Sequence, residues 1–222
     1  MVLRSIKRLP SKVVESFEGL SSSTIYESIP RTVESVMDAS IKPIGSEMRL
    51  LGSALTVQSL PADNITVHKA MTLAQPGDVL VVSAYGMIGV MWGAQMTYQA
   101  IKQGIAGIVV DGSVRDTYEI RKMGFPCFAK MTSPIGSTKE FPGYINFSIV
   151  CGGVKVNPGD IVVGDDDGVV VVPQELATEV QEKAKEREAR ESDARRQMDE
   201  GKTSFEIYNF DKVFREKGVQ ES

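Results

Sequence analysis

Between Gly93 and Gly124 the chain alternates glycine stops with short apolar and amphipathic runs, and this stretch narrows the possible folds more than any other. Behind Gly93, the residues Ala94 to Gln103 place Met96, Ala100 and Ile101 at helical spacing. Gly104 can end that helix, because glycine takes the positive φ of a C′ position without steric cost. Ile105-Ala106-Gly107-Ile108-Val109-Val110 is short, β-branched and almost wholly apolar. Such a run predicts a strand covered on both faces, as in a parallel sheet flanked by helices. Asp111-Gly112-Ser113-Val114-Arg115-Asp116 turns polar and predicts a loop, followed by a helix over Thr117–Met123. Ligands in α/β folds gather beyond the carboxyl ends of strands, so the charged pair Arg115-Asp116 marks a candidate site.

Two anion-handling devices lie close together here. The free N–H groups of Ala94, Gln95 and Met96, opening a helix behind Gly93, attract a carboxylate or phosphate. Arg115 offers a planar fork to a carboxylate or enolate. Asp116 and Glu119 offer hard oxygens suited to Mg²⁺ or Mn²⁺. The same spacing also fits a capping box, with Asp116 as N-cap and Glu119 at N3 of its own helix.

Elsewhere the chain reads as one α/β domain with a charged extension. Short helices are expected over Ser11–Phe17 and Thr24–Ser28, the second capped from Ser21-Ser22-Ser23. Leu50 to Ser59 predicts a strand, and Asp63-Asn64 starts a helix carrying Val67, Ala70 and Met71. His68, the only histidine, rides on that helix without a partner for metal binding. Gln75-Pro76-Gly77-Asp78 and Asn157-Pro158-Gly159-Asp160 echo each other as type II turns that feed strands. Pro126–Lys130, Ser148–Cys151, Val154–Val156, Ile161–Val163 and Val169–Val172 predict a β-rich back half with sandwich or barrel character. Asp165-Asp166-Asp167-Gly168 lacks the alternating ligand spacing of a calcium loop and reads as a tight turn. Glu175 to Glu200 is a long helix with a narrow stripe of Leu176, Val180 and Ala184, too polar to pack on its own core. The apolar tail Phe205–Phe210 beyond it predicts docking on another subunit.

Composition removes whole classes of function. The net charge of −4 mixes acids with bases, which gives no electrostatic case for nucleic acid. No run of 18 apolar residues exists to cross a membrane, and no apolar segment follows Arg4, Lys7 and Arg8 to make a secretory signal. Cys127 and Cys151, with no metal spacing, are expected as buried free thiols in a reducing compartment, hence a cytoplasmic protein.

Taken together, Gly93-Ala94-Gln95-Met96, the segment Gly107 to Asp116 with Glu119, Pro76-Gly77-Asp78, and Asn157 to Pro173 are similar to the RraA-like family. That family holds the regulator of ribonuclease activity A and the class II aldolases for 4-hydroxy-4-methyl-2-oxoglutarate and 4-carboxy-4-hydroxy-2-oxoadipate. The resemblance implies a three-layer β/β/α swivelling-type core over 1–173 and a helical arm over 174–222 that contacts a neighbouring subunit. It also implies a homotrimer or dimer of trimers with sites at subunit boundaries. On the aldolase pattern Asp116 binds Mg²⁺ or Mn²⁺, Glu119 holds a metal-bound water, and Arg115 stabilises a pyruvate enolate. The amides after Gly93 hold the carboxylate of a small 2-oxo acid, and oxaloacetate is decarboxylated at the same site. Glu191, ten residues before Gly201, matches a glutamate that reaches a neighbour's site. The aldolases carry an acidic side chain just after the glycine turn, where this chain has Ala94, Gln95 and Met96. Members that inhibit ribonuclease E work by binding protein, which is the alternative function.

Overall fold

The computed structural model describes residues 1–218. Its elements in chain order are α1 (Ser11–Glu15), α2 (Ser22–Tyr26), β1 (Lys42–Pro43), β2 (Leu50–Gln58), α3 (Ile65–Met71), β3 (Asp78–Ser83), β4 (Val90–Trp92), α4 (Ala94–Lys102), β5 (Gly107–Val114) and α5 (Thr117–Lys122). There follow β6 (Cys127–Thr132), β7 (Tyr144–Ile145), β8 (Ile149–Cys151), β9 (Val154–Val156), β10 (Ile161–Asp165), β11 (Gly168–Val172), a 3₁₀ turn, α6 (Ala177–Asp199), α7 (Ser204–Ile207) and α8 (Phe210–Glu216).

Nine strands form one mixed sheet in the order β1-β6-β5-β3-β2-β10-β11, with β4 beside β5 and β7 beside β2. Its centre, β2, β3, β5 and β6, is parallel. The sheet rolls until it is nearly closed, and Lys42 of β1 donates from Nζ to the Asp167 carbonyl in the β10–β11 turn. Side-chain alternation in the parallel strands builds the layers. Leu55, Val57, Leu80, Val82, Ile108 and Val110 face α3, α4 and α5 in one core. Ala54, Val79, Val81, Val109 and Phe128 face the β8–β9 hairpin in a second. A third core joins α1, α2 and the start of α6 to β10 and β11. This is the β/β/α layering, with the long C-terminal helix present.

Both Pro-Gly-Asp joints are the expected turns. Gly77 (φ 85°) and Gly159 (φ 89°) supply the positive φ that a type II turn requires. Each aspartate then closes its own turn, accepting from the backbone N–H of Gln75 at 2.8 Å and of Asn157 at 2.7 Å. The Asp165–Gly168 segment is a hairpin turn, and Asp165 accepts from Ser22 N–H and Oγ–H. Both cysteines are free and buried, and burial pushes their thiols well above the usual range.

Two expectations need correction. The central strand does not end at Val110: β5 continues through Asp111 to Val114, and all eight residues are buried. Asp111 Oδ2 accepts from Gly152 N–H at 3.1 Å, its Oδ1 lies 3.8 Å from Lys130 Nζ, and Ser113 Oγ accepts from Gly89 N–H. The long helix is not too polar to pack on its own core, because Ala177, Val180 and Ala184 are buried against α2 and the sheet. Three small apolar residues at helical spacing suffice for a narrow contact.

Candidate active site

Strand β5 delivers the candidate site. The Arg115 N–H donates to the Trp92 carbonyl at 3.0 Å, which sets the ends of β4 and β5 side by side. Trp92 is itself fixed, with no exposed surface, its Nε1–H donating to Thr97 Oγ1 at 2.7 Å. Asp116 takes the left-handed conformation (φ 58°), which aspartate tolerates better than most residues. In that posture its carboxylate turns away from its own helix. It makes no cap bond to α5, so the capping-box alternative is overturned. Instead Asp116 Oδ2 accepts from Ala94 N–H at 3.1 Å, at the start of α4, and lies 3.6 Å from Arg115 Nε. Gly93 makes this possible: a Cβ there would sit 2.8 Å from Asp116 Oδ2 and 3.3 Å from Arg115 Cγ.

These groups open onto a cavity of about 320 Å³. Gly93, Gln95 and Met96 line it from the β4–α4 turn, and Arg115 and Asp116 from the β5–α5 turn. Asn64 and His68 line it from α3, and Ser137 and Lys139 from the loop before β7. Among the expected binding residues only Ala94 lies off the lining, its N–H given to Asp116. Glu119 is exposed on α5 and does not line the cavity. Glu191 is on α6, paired with Arg187 Nε at 3.0 Å, and Arg187 is also paired with Glu27 of α2. Within this chain Glu191 does not line the cavity either.

Sequence reasoning missed the α3 and loop contributions. Asn64 and His68 are four residues apart, so a helix puts both on one face. That spacing was a usable signal, whereas Ser137 and Lys139 sit in a stretch without periodicity.

The cavity wall hangs on Asp63. This aspartate is buried and accepts from Thr138 Oγ1–H at 2.8 Å and from the N–H groups of Glu140 (2.6 Å) and Phe141 (3.1 Å). Its other oxygen accepts from Ile65 N–H at 3.1 Å at the start of α3. Burial alone would raise its pKa, but these donors outweigh it and hold the carboxyl below its ordinary value. The folded state therefore binds Asp63's proton less readily than the unfolded chain does. Its contribution is fully present above the unfolded value near 4 and is lost as pH falls through the lowered folded value. Asp63→Ala should cost about 2–4 kcal/mol, since it strands several buried donors at once. The check is the denaturant midpoint of unfolding at pH 7; a midpoint shift equivalent to under ~0.5 kcal/mol would contradict this account.

The donor set fits one kind of metal. Among the described residues no three His, Cys, Asp or Glu side chains gather as ligands, so no zinc-type cluster forms among them. Asp116 keeps Oδ1 without a protein hydrogen bond among the described residues, and its side chain is 39% exposed. A single open carboxylate suits a hydrated Mg²⁺ or Mn²⁺, which is held by one or two carboxylates and keeps its waters.

Comparison with known proteins gives consistent results. The family model described as RraA-like, Aldolase/RraA, matches residues 23–171. A protein of Halalkalibacterium halodurans with the provisional name 4-hydroxy-4-methyl-2-oxoglutarate aldolase is 37% identical over 193 residues, covering 83% of this chain and 92% of its own. The 4-hydroxy-4-methyl-2-oxoglutarate aldolase of Thermus thermophilus is 32% identical over 134 residues, covering 60% of this chain and 81% of its own. The crystal structure of Streptomyces coelicolor RraAS2, described as an unusual member of the RNase ES inhibitor RraA family, superposes with a TM-score of 0.77 at 33% identity. It covers 86% of this chain and 100% of its own. No helix among the described residues is long and apolar enough to cross a membrane.

Proposed function

The chain belongs to the RraA-like family, and from that premise we propose that it is a divalent-metal-dependent class II aldolase. It cleaves 4-hydroxy-2-oxo acids of the 4-hydroxy-4-methyl-2-oxoglutarate type to pyruvate and decarboxylates oxaloacetate. One observation carries this reading: an open carboxylate, Asp116, and a guanidinium, Arg115, stand together on one cavity at the N-terminus of α4.

Asp116 would hold Mg²⁺ or Mn²⁺ through its free oxygen. When bound, such an ion supplies Lewis-acid polarisation of the 2-oxo group. The chain's own groups do the rest. The Gln95 and Met96 N–H groups, facing the open end of α4, donate to the substrate's C1 carboxylate. Arg115 donates to the C2 oxygen, where charge develops as the C–C bond breaks. Lys139 on the loop wall balances the second carboxylate of a dicarboxylic substrate. Glu119, one helical turn beyond Asp116 and outside the cavity lining, would accept hydrogen bonds from water near that carboxylate. Glu191 acts across a subunit boundary in a trimer or dimer of trimers, held at its base by Arg187 and Glu27. Mixing Asp116→Ala chains with Glu191→Ala chains under proven subunit exchange should therefore restore activity, and no recovery would remove Glu191 from the site.

The test of the function is turnover of oxaloacetate and of a panel of branched 4-hydroxy-2-oxo acids. Turnover should vanish in EDTA and return with Mg²⁺ or Mn²⁺. Absence of turnover on every substrate with either ion would overturn the proposal. It would favour the second reading, a non-enzymatic protein that binds a ribonuclease of the RNase E type. That reading is supported by the missing acidic side chain after Gly93.

A further inference from the structure

Two polar side chains on the α3 wall of the cavity have no part in the scheme above. Asn64, the N-cap of α3, and His68, within the helix four residues on, line the same cavity as Arg115 and Asp116. Asn64 is 7% exposed, and its Oδ1 is buried without any hydrogen-bond partner. A buried acceptor without a partner is costly, so one on a residue of the cavity wall marks where a ligand's hydroxyl or amine belongs. Its Nδ2 meets only Met96 Sδ, at 3.6 Å. One turn along, His68 is half-buried, and neither ring nitrogen has a hydrogen-bond partner among the described residues. Asn64 thus brings a buried acceptor without a partner to the cavity wall, and His68 a partly exposed imidazole.

Resting on the lyase reading, we propose that His68 is the general base and acid of C–C cleavage; the C4 hydroxyl rests on Asn64 Oδ1 on binding and turns its single proton to His68 as cleavage begins. The reaction needs such a group. Retro-aldol cleavage cannot begin until the C4 hydroxyl gives up its proton. Of the other charged groups lining the cavity, Arg115 and Lys139 are cations and Asp116 is the metal carboxylate; Lys69 beside His68 is exposed, and Glu119 and Glu191 do not line the cavity within this chain. No acidic side chain follows Gly93 to take the part. Burial first, and then the nearby Lys139, hold the imidazole below its ordinary 6.5 and keep it neutral at physiological pH. A neutral imidazole can accept a proton.

The step balances as follows. His68 takes the C4 hydroxyl proton as the C3–C4 bond breaks. The C4 oxygen becomes the carbonyl of the first product. The bonding pair moves through C3 onto the C2 oxygen beside Arg115. The imidazolium then returns the proton to C3, and pyruvate leaves. Oxaloacetate decarboxylation starts from a carboxylate with no hydroxyl proton to remove, so His68 receives no proton in that reaction and the enolate takes its proton from water instead.

That difference supplies the test. With Mn²⁺ present, His68→Gln should lower kcat for the best branched 4-hydroxy-2-oxo acid by about 10²-fold or more. Oxaloacetate decarboxylation should stay within about threefold, which also shows that the variant folds and keeps its metal. The acid limb of kcat/KM against pH for aldol cleavage, falling below the ordinary histidine value, should disappear in the variant. Equal losses on both substrates would make His68 a structural residue, and no loss on the aldol would exclude it as the base. A wild type active on oxaloacetate alone would also overturn the assignment while leaving the metal and Arg115 readings standing. A wild type inactive on both substrates would overturn the lyase reading itself.

Discussion

Replacing Asp116 with Ala is expected to abolish metal-dependent turnover, a loss of about 10³-fold or more if the ion supplies several kcal/mol of transition-state stabilisation. The side chain is 39% exposed and its only backbone partner is Ala94 N–H, so the fold should not depend on it. Alanine tolerates the left-handed conformation of this position poorly, at about 1–2 kcal/mol. Asp116→Asn removes that objection. Asparagine tolerates positive φ and can keep accepting from Ala94 while losing only the charge. Both variants should be inactive at any Mg²⁺ or Mn²⁺ concentration that saturates the wild type. An Asn variant with wild-type turnover and metal response would show that the carboxylate charge is not needed, and the lyase mechanism would fail at its centre.

Arg115→Ala should lower kcat by about 10²–10³-fold, the usual cost of one donor aimed at a developing oxyanion. Arg115→Lys should rescue little, because an ammonium cannot offer two N–H groups in one plane. The Arg115–Asp116 pair is about half exposed and is worth little as a salt bridge. Loss of stability therefore cannot account for a loss of rate of that size. If Arg115→Ala raised KM and left kcat alone, the guanidinium would be a substrate anchor rather than a stabiliser of the enolate.

Much of this was legible in the residues, for reasons that can be named. The helix–strand–helix order around Ile105–Val110, both Pro-Gly-Asp turns and the Asp165–Gly168 hairpin were readable because each depends on local chemistry: period, positive φ or turn residues. The end of β5 was not readable. Asp111 and Ser113 look like loop residues until Gly152 and Gly89 arrive from distant segments to satisfy them. The two-residue strands β1 and β7, and β4 with three, carry too few residues to show a period. At the site, Arg115, Asp116 and Gly93 were visible as neighbours of sequence motifs. The posture of Asp116 was not, because two devices compete for one carboxylate. A local cap on α5 and a distant N–H on α4 are both plausible from spacing, and the left-handed backbone decides for the distant one. Lys139 and Ser137 join the cavity through long-range links, to the buried Asp63, to Ala62 and Asn64 and to Val90, that no periodicity announces.

The loop that carries Lys139 has almost no regular structure of its own, and one carboxylate gathers three of its hydrogen bonds. Its other ties are few, Thr138 to Ala62 and Asn64, Ser137 to the Val90 carbonyl and Gly143 N–H to Thr66 Oγ1, and a loop held at so few points releases as a unit. The nine-stranded sheet behind it is fastened all along its strands. The two parts therefore have different working lifetimes when the protein is warmed. Catalysis should fade while the sheet's circular dichroism is still native, and it should return on cooling, because what opens is a local segment and not the fold. Durability of the proposed activity and durability of the fold are then separate properties, the first set at the loop's few ties, Asp63 chief among them, and the second in the parallel strands.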